Sequence, residues 1–340
     1  MVVHKAYSSQ YHPIHPSVRD RLDKDYVDHY NRYLINQPLV QHLPLAVSRQ
    51  GGQTPPAHST PLAVGTTQDF RISRRETFGP KIEVRCFTPH GAAPKTGWPL
   101  VLYYHGGGWV FGDISSENTI CTNLCIRAQA VVITTGYRLA PECPWPAAIH
   151  DGWEAFLWAT SKGAELLNIN TRKIAFSGAS AGSNIAAVMA QRAVAHPQPG
   201  ISICAQLLVV PITDNTATPL TNPTWQRYEF TAGLPAEKML WYRHHYLPNK
   251  ADWSHPEASP LFASDEIFAR LPPTLVIVAE LDVLRGDGEE YAKKLRANRV
   301  CADVMVMEGM PHPFVAMDAK LDAAKRAITI MCERLLKTFA

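Results

Sequence analysis

An α/β fold with a mostly parallel central sheet and helices on both faces is the class this sequence predicts. Short apolar runs of strand length recur along the chain, and from Ala130 onward they alternate with stretches of helical pattern. Strands alternating with helices form parallel sheets whose faces the helices cover. The earliest strand-like runs have no helices between them, which predicts an antiparallel start to the sheet.

In chain order, Val18, Leu22, Tyr26 and Tyr30 fall at helical spacing and predict one amphipathic helix. Gln50 to Thr67 is rich in Gly, Gln, Pro, Ser and Thr, a loop signature. Strands are expected at Phe70 to Arg74, Ile82 to Phe87, Pro99 to Tyr104 and Ala130 to Thr135. Next come a helix over Ala147 to Thr160, a strand over Lys173 to Ser177, a helix over Asn184 to Ala195 and a strand over Ala205 to Val210. The last elements are a strand over Pro273 to Ala279, a helix over Gly288 to Asn298, a strand over Ala302 to Met307 and a helix from about Asp318 to Leu336. Residues 214–259 break this rhythm, with Trp225, Tyr228, Phe230, Trp241, Tyr242 and Tyr246 among several prolines. Length and aromatic content favour a cap over a pocket there.

The chain has 340 residues, 46% hydrophobic and 19% charged, enough for one α/β domain carrying an insertion. The net charge is +3 with no basic run, which argues against nucleic acid as a partner. No apolar stretch approaches the roughly 20 residues of a membrane span. The opening residues lack the apolar core of a secretory signal. The seven cysteines are scattered and odd in number, and are read as reduced thiols of a cytoplasmic protein. Cys121 and Cys125 could share a helix face, but nothing supplies the remaining ligands of a zinc site. No metal or organic cofactor is expected.

Gly178-Ala179-Ser180-Ala181-Gly182 carries the chemistry. It follows the apolar Ile174-Ala175-Phe176 and opens a helical run, the strand-turn-helix setting of a nucleophile elbow. Such a turn strains the serine backbone and admits only small neighbours. His105-Gly106-Gly107-Gly108-Trp109 directly follows a buried strand. Its glycines let backbone N–H groups approach the oxyanion of an acyl-transfer intermediate. Gly107 and Gly108 are the first candidates, Gly106 a weaker one, and Ala181 the donor after the nucleophile. A phosphate-binding loop is disfavoured, since neither the Lys-Ser/Thr ending nor the dinucleotide spacing is present. His105 itself is read as structural.

A serine needs an imidazole to take its proton. Of five histidines after Ser180, only His312 sits just past a strand, where active sites of open parallel sheets gather. The acid should also follow a strand. Asp282 and Glu280 both qualify, with Asp287 a weaker third, and pattern alone does not separate the first two.

These stretches, together with Tyr137-Arg138-Leu139-Ala140-Pro141-Glu142, resemble the hormone-sensitive-lipase-like branch of the α/β-hydrolase esterases, which includes arylacetamide-deacetylase-like enzymes. The resemblance covers most of the chain. It implies the α/β-hydrolase fold, makes Asp282 the acid, and implies that an N-terminal helical part, residues 1–48, joins the 214–259 insertion in the cap of a catalytic domain spanning 49–340. The chain departs from the family at Ala179, where Asp or Glu is usual, and at Pro313, where Gly is usual.

The expected function is hydrolysis of small to medium hydrophobic carboxylic esters through an acyl-enzyme on Ser180, with His312 as base and Asp282 orienting it. Trp109, Phe111, Trp225 and Tyr228 are the expected apolar walls of the substrate site. Amide or lactone cleavage, acyl transfer, and a receptor that has lost catalysis are the alternatives. The expected partner is a small-molecule ester, with a homodimer left open.

Overall fold

The computed structural model describes residues 11–50 and 57–340. The opening ten residues and part of the Gln50 to Thr67 loop therefore lie outside the described residues. The strands are β1 (Thr66–Ile72), β2 (Ile82–Thr88), β3 (Trp98–Tyr104), β4 (Val131–Gly136), β5 (Ile169–Ala179), β6 (Ile203–Val209), β7 (Thr274–Ala279) and β8 (Ala302–Met307). They form one eight-stranded sheet in the order β1-β2-β4-β3-β5-β6-β7-β8. β1 and β2 are antiparallel, as are β2 and β4, and every pairing from β4 to β8 is parallel. The predicted antiparallel start is thus present.

The sequence explains which strands are central. β3, β4 and β7 are near-continuous apolar runs with almost every residue buried, as strands covered on both faces must be. β1 lies at the edge, largely exposed, with Asp69 and Arg71 facing solvent. Charges on an edge strand discourage pairing with another chain.

The described part of the N-terminal segment holds the short α-helices α1 (Pro16–Arg19), α2 (Lys24–His29) and α3 (Leu45–Ser48). The helices α4 (Asn118–Ala128), α5 (Ala147–Ala159), α6 (Lys162–Leu167) and α7 (Ala181–Ala195) follow. The insertion contributes α8 (Pro223–Arg227) and α9 (Ala236–Tyr246), and α10 (Asp265–Phe268), α11 (Arg285–Ala297) and α12 (Asp322–Phe339) complete the chain. α4 packs with α12, and α5 packs with α7, each pair lying against the sheet. Among the described residues no helix is long and apolar enough to cross a membrane.

The single helix expected over Val18 to Tyr30 is instead broken at residues 20–23. Asp23 caps α2 by accepting the N–H groups of Asp25 and Tyr26, while its own N–H donates to the carbonyl of Gly309 at 3.0 Å. That long-range bond competes with continued helix. Val18, Leu22 and Tyr26 remain buried, so the periodicity identified the inward face but not the break.

The Tyr137 to Glu142 string is a fastening. Arg138 donates to the buried carboxylate of Asp151 on α5 through its side chain (2.7 Å) and its backbone N–H (2.8 Å). Arg74 reaches the same carboxylate at 2.5 Å. Arg49 from the N-terminal segment donates to the Ala140 carbonyl (2.6 Å) and pairs with Glu142 (2.6 Å). Removing one partner of a buried ion pair strands the other charge and costs about 3–5 kcal/mol. Asp151→Ala is therefore expected to lower the thermal midpoint by roughly 5 °C or more. Lys293→Ala, which removes an exposed pair with Glu290, should shift it by about a degree or less, and a calorimetric scan of both variants checks the contrast.

Candidate active site

Ser180 occupies the turn between β5 and α7 with φ +56° and ψ −120°, a conformation that L-residues rarely adopt. The turn is held shut from several sides. Ser180 N–H donates to the Val209 carbonyl at 2.8 Å. Ser183 Oγ donates to the Gly178 carbonyl at 2.6 Å and accepts the Val209 N–H at 2.8 Å. A side chain at Gly182 would collide with the carbonyl of Tyr104, and one at Gly178 would come within 2.5 Å of Gly182. The small residues of the motif are therefore a packing requirement.

The glycine loop leaves β3 beside this turn. Gly107 and Gly108 have φ of +113° and +60°, and a side chain at Gly108 would run into the ring of Tyr242. Among the described residues, the N–H groups of Gly107, Gly108 and Ala181 have no acceptor. The N–H of Gly106 does: it donates to Glu117 Oε1 at 3.2 Å. Gly106 is thus removed from the expected donor set. Glu117 also accepts the hydroxyl proton of Tyr103 at 2.6 Å, and burial pushes its carboxyl up to about 7. His105 braces the loop from beneath, with Nδ1 2.7 Å from the Gly106 carbonyl oxygen and its ring stacked on Tyr137 at 4.2 Å. Burial drives the His105 imidazole down to about 4, so it stays neutral at physiological pH.

The loops after β7 and β8 deliver the other two groups. His312 Nε2 lies 2.8 Å from Ser180 Oγ, and His312 Nδ1 lies 2.8 Å from Asp282 Oδ2. The second oxygen of Asp282 accepts the Leu284 N–H at 3.0 Å, which fixes the carboxylate. Nδ1–H donates to that carboxylate, so Nε2 carries the lone pair facing the serine hydroxyl. All three side chains are buried or nearly so. Glu280, the other carboxylate that sequence could not set aside, is held elsewhere by Arg21 (2.6 Å) and the Gly309 N–H (2.8 Å). Asp287 is also engaged elsewhere, accepting the N–H groups of Thr213 and Asp214 at 3.0 Å each.

A cavity of about 110 Å³ opens on Ser180 and His312. Its walls are the glycine loop, Glu117, Ala179, Gly233, Leu234, Lys238, Met239, Tyr242, Pro313, Val315 and Ala316. A larger depression of about 730 Å³, near His150, Arg192 and Glu257, contains none of these groups. The four aromatic residues expected to line the substrate site do not line this cavity. Trp109 is fully buried and stacks on Tyr246 at 4.1 Å. Trp225 is fully buried under the guanidinium of Arg243, and Tyr228 is buried against Arg21. Phe111 packs edge-on against Tyr242 at 5.9 Å, behind the wall rather than in it. Aromatic rings bury the most area in a core, and three of these four are used in that way.

The insertion does supply a wall, through the turn at Gly233 and the first part of α9. The N-terminal segment supplies no lining residue among those described. It instead braces the insertion, with Gln41 and His42 on Glu237 and Arg21 on Tyr228. Sequence reasoning missed Glu117, Lys238 and Met239. The spacing of Leu234, Lys238 and Tyr242, one helical turn apart, was the available signal.

Residues 101–316 match a family model described as alpha/beta hydrolase fold. Over 96% of its length the chain is 45% identical to the AB hydrolase superfamily protein C1039.03 of Schizosaccharomyces pombe, covering 97% of that protein. It is 32% identical to an ethyl acetate hydrolase of Pseudomonas putida over 78% of this chain and 81% of that one. The structure of a thermostable esterase from Pseudomonas putida superposes with a TM-score of 0.84 at 26% identity, over 94% of this chain and 98% of the other. One of two fungal esterases from Rhizomucor miehei gives 0.82 at 28% identity, over 94% and 97%. Sheet order, motif placement and similarity along nearly the whole chain agree, and the chain belongs to the α/β-hydrolase family.

Proposed function

We propose that this protein hydrolyses carboxylic esters through an acyl-enzyme formed on Ser180. The observation that carries the reading is the unbroken line Asp282–His312–Ser180, with both links at 2.8 Å, opening on a cavity beside the backbone N–H groups of Gly107, Gly108 and Ala181. Relatives and structural neighbours named as ester hydrolases support the same chemistry, and the motifs support placing it in the hormone-sensitive-lipase-like branch. The seven free thiols are consistent with a cytoplasmic setting.

The steps follow from the geometry. Ser180 Oγ attacks the ester carbonyl carbon as its proton passes to His312 Nε2. The carbonyl oxygen becomes an oxyanion, received by the N–H groups of Gly107, Gly108 and Ala181. Asp282 holds the imidazole in orientation and balances its positive charge. As the intermediate collapses, the bond to the leaving alkoxide breaks, and His312 returns the proton to that oxygen. Water then attacks the acyl-enzyme, giving its proton to His312. A second collapse releases the carboxylic acid and restores the serine hydroxyl. Leu234, Met239, Tyr242, Val315 and Ala316 give the cavity apolar walls, and its size suits a short acyl chain.

Ser180→Ala should lower kcat on 4-nitrophenyl butyrate by about 10⁴-fold or more. Undiminished turnover in that variant, or a native chain that a fluorophosphonate fails to label, would overturn the reading. Asp282→Asn keeps the shape but favours the wrong imidazole tautomer, so kcat should fall by about 10³- to 10⁴-fold with little change in KM. Steady-state kinetics on the purified variant measures both parameters.

A further inference from the structure

Lys238 sits in the first turn of α9, and its side chain lines the same cavity as Ser180 and His312. Its ammonium has three N–H donors. One is placed, on the carbonyl of Gly233 at 2.9 Å. Among the described residues no carboxylate pairs with it. Glu117, across the cavity, is engaged by the Tyr103 hydroxyl and the Gly106 N–H. Glu237, its neighbour on α9, is turned outward to Gln41 and His42.

An uncompensated charge at a half-enclosed apolar wall is costly. Burial pushes the Lys238 ammonium down to about 8, leaving it charged at neutral pH. For a purely apolar substrate, a side chain such as the adjacent Met239 or Leu234 would line the wall without that cost. The carbonyl that anchors Lys238 belongs to a turn packed on the catalytic loop, since a side chain at Gly233 would collide with the carbonyl of His312. The cation is thereby held on the wall beside the reacting centre.

We propose that Lys238 is a specificity-determining residue that pairs with an anionic group on the substrate, so that the preferred substrates are esters of short dicarboxylic acids carrying one free carboxylate. This rests on the ester-hydrolase reading above and narrows it to a substrate class. The carboxylate accepts from the remaining N–H groups of the ammonium, while the ester carbonyl at the other end of the short chain reaches Ser180 and the glycine loop.

The test compares monoethyl succinate with ethyl butyrate in a pH-stat at neutral pH. These esters have equal acyl length and differ by a carboxylate in place of a methyl group. The readout is the ratio of their kcat/KM values, in which effects on the shared catalytic steps cancel. The native chain should favour the monoester. Lys238→Met should lower the ratio by about tenfold or more, Lys238→Glu should lower it further, and Lys238→Arg should keep it within about threefold of the native value. A native ratio below one, which needs no variant to measure, overturns the proposal. So does a ratio left unchanged in Lys238→Met, which would reduce the lysine to a clamp on the Gly233 turn. A native chain that hydrolyses ethyl butyrate but disfavours the monoester sinks this inference alone, whereas one that hydrolyses neither ester sinks the parent reading with it.

Discussion

The carbonyl of Tyr104 occupies the space that a side chain at residue 182 would need, and the arrangement of the site follows from that contact. β3 and β5 are parallel neighbours with Tyr104 opposite Gly178, so the glycine loop and the serine turn leave the sheet at the same end and side by side. With no side chain at 178 or 182, the start of α7 presses against the end of β3. Ser180 is thereby lifted next to amides that, among the described residues, have no other acceptor. β7 and β8, further along the same sheet, release Asp282 and His312 at that edge as well. Parallel topology brings together groups that the sequence separates by 132 positions.

The two carboxylates after β7 show how closely position and partner decide role. Asp282 and Glu280 stand two places apart after the same strand. Asp282 turns to the imidazole and is fixed by the Leu284 amide. Glu280 turns to Arg21 and to the Gly309 amide, stitching the N-terminal segment to the loop that carries His312. Asp23 binds the other side of the same loop through the Gly309 carbonyl. One carboxylate faces His312 and the other holds the loop that carries it.

What could be read from sequence divides along the same physical lines. The sheet, its antiparallel start and the placement of Ser180 and His312 at strand ends were legible from local pattern and the rule that active groups gather there. Only the family resemblance separated Asp282 from Glu280. The break at residues 20–23 was not, because its cause is a bond to Gly309 far along the chain. Trp109, Trp225, Phe111 and Tyr228 were misplaced because composition names large rings without saying which way they point. Their bulk is drawn into packing, while Tyr242, one lysine and smaller side chains line the cavity. Gly106 stays among the sequence candidates, as the weaker one, because consecutive glycines carry little to rank them, and in the fold the Glu117 carboxyl takes its N–H.

The backbone at Ser180 has a wider consequence. A φ of +56° with ψ −120° is a setting in which glycine would be at ease and any L-residue is not. Placing glycine at 180 would relax the turn and make the protein hardier, at the cost of the hydroxyl. On the mechanism proposed above, heat tolerance and turnover therefore place opposite demands on this position. A homologue with glycine here would keep the architecture while lacking the serine hydroxyl on which the proposed reaction depends.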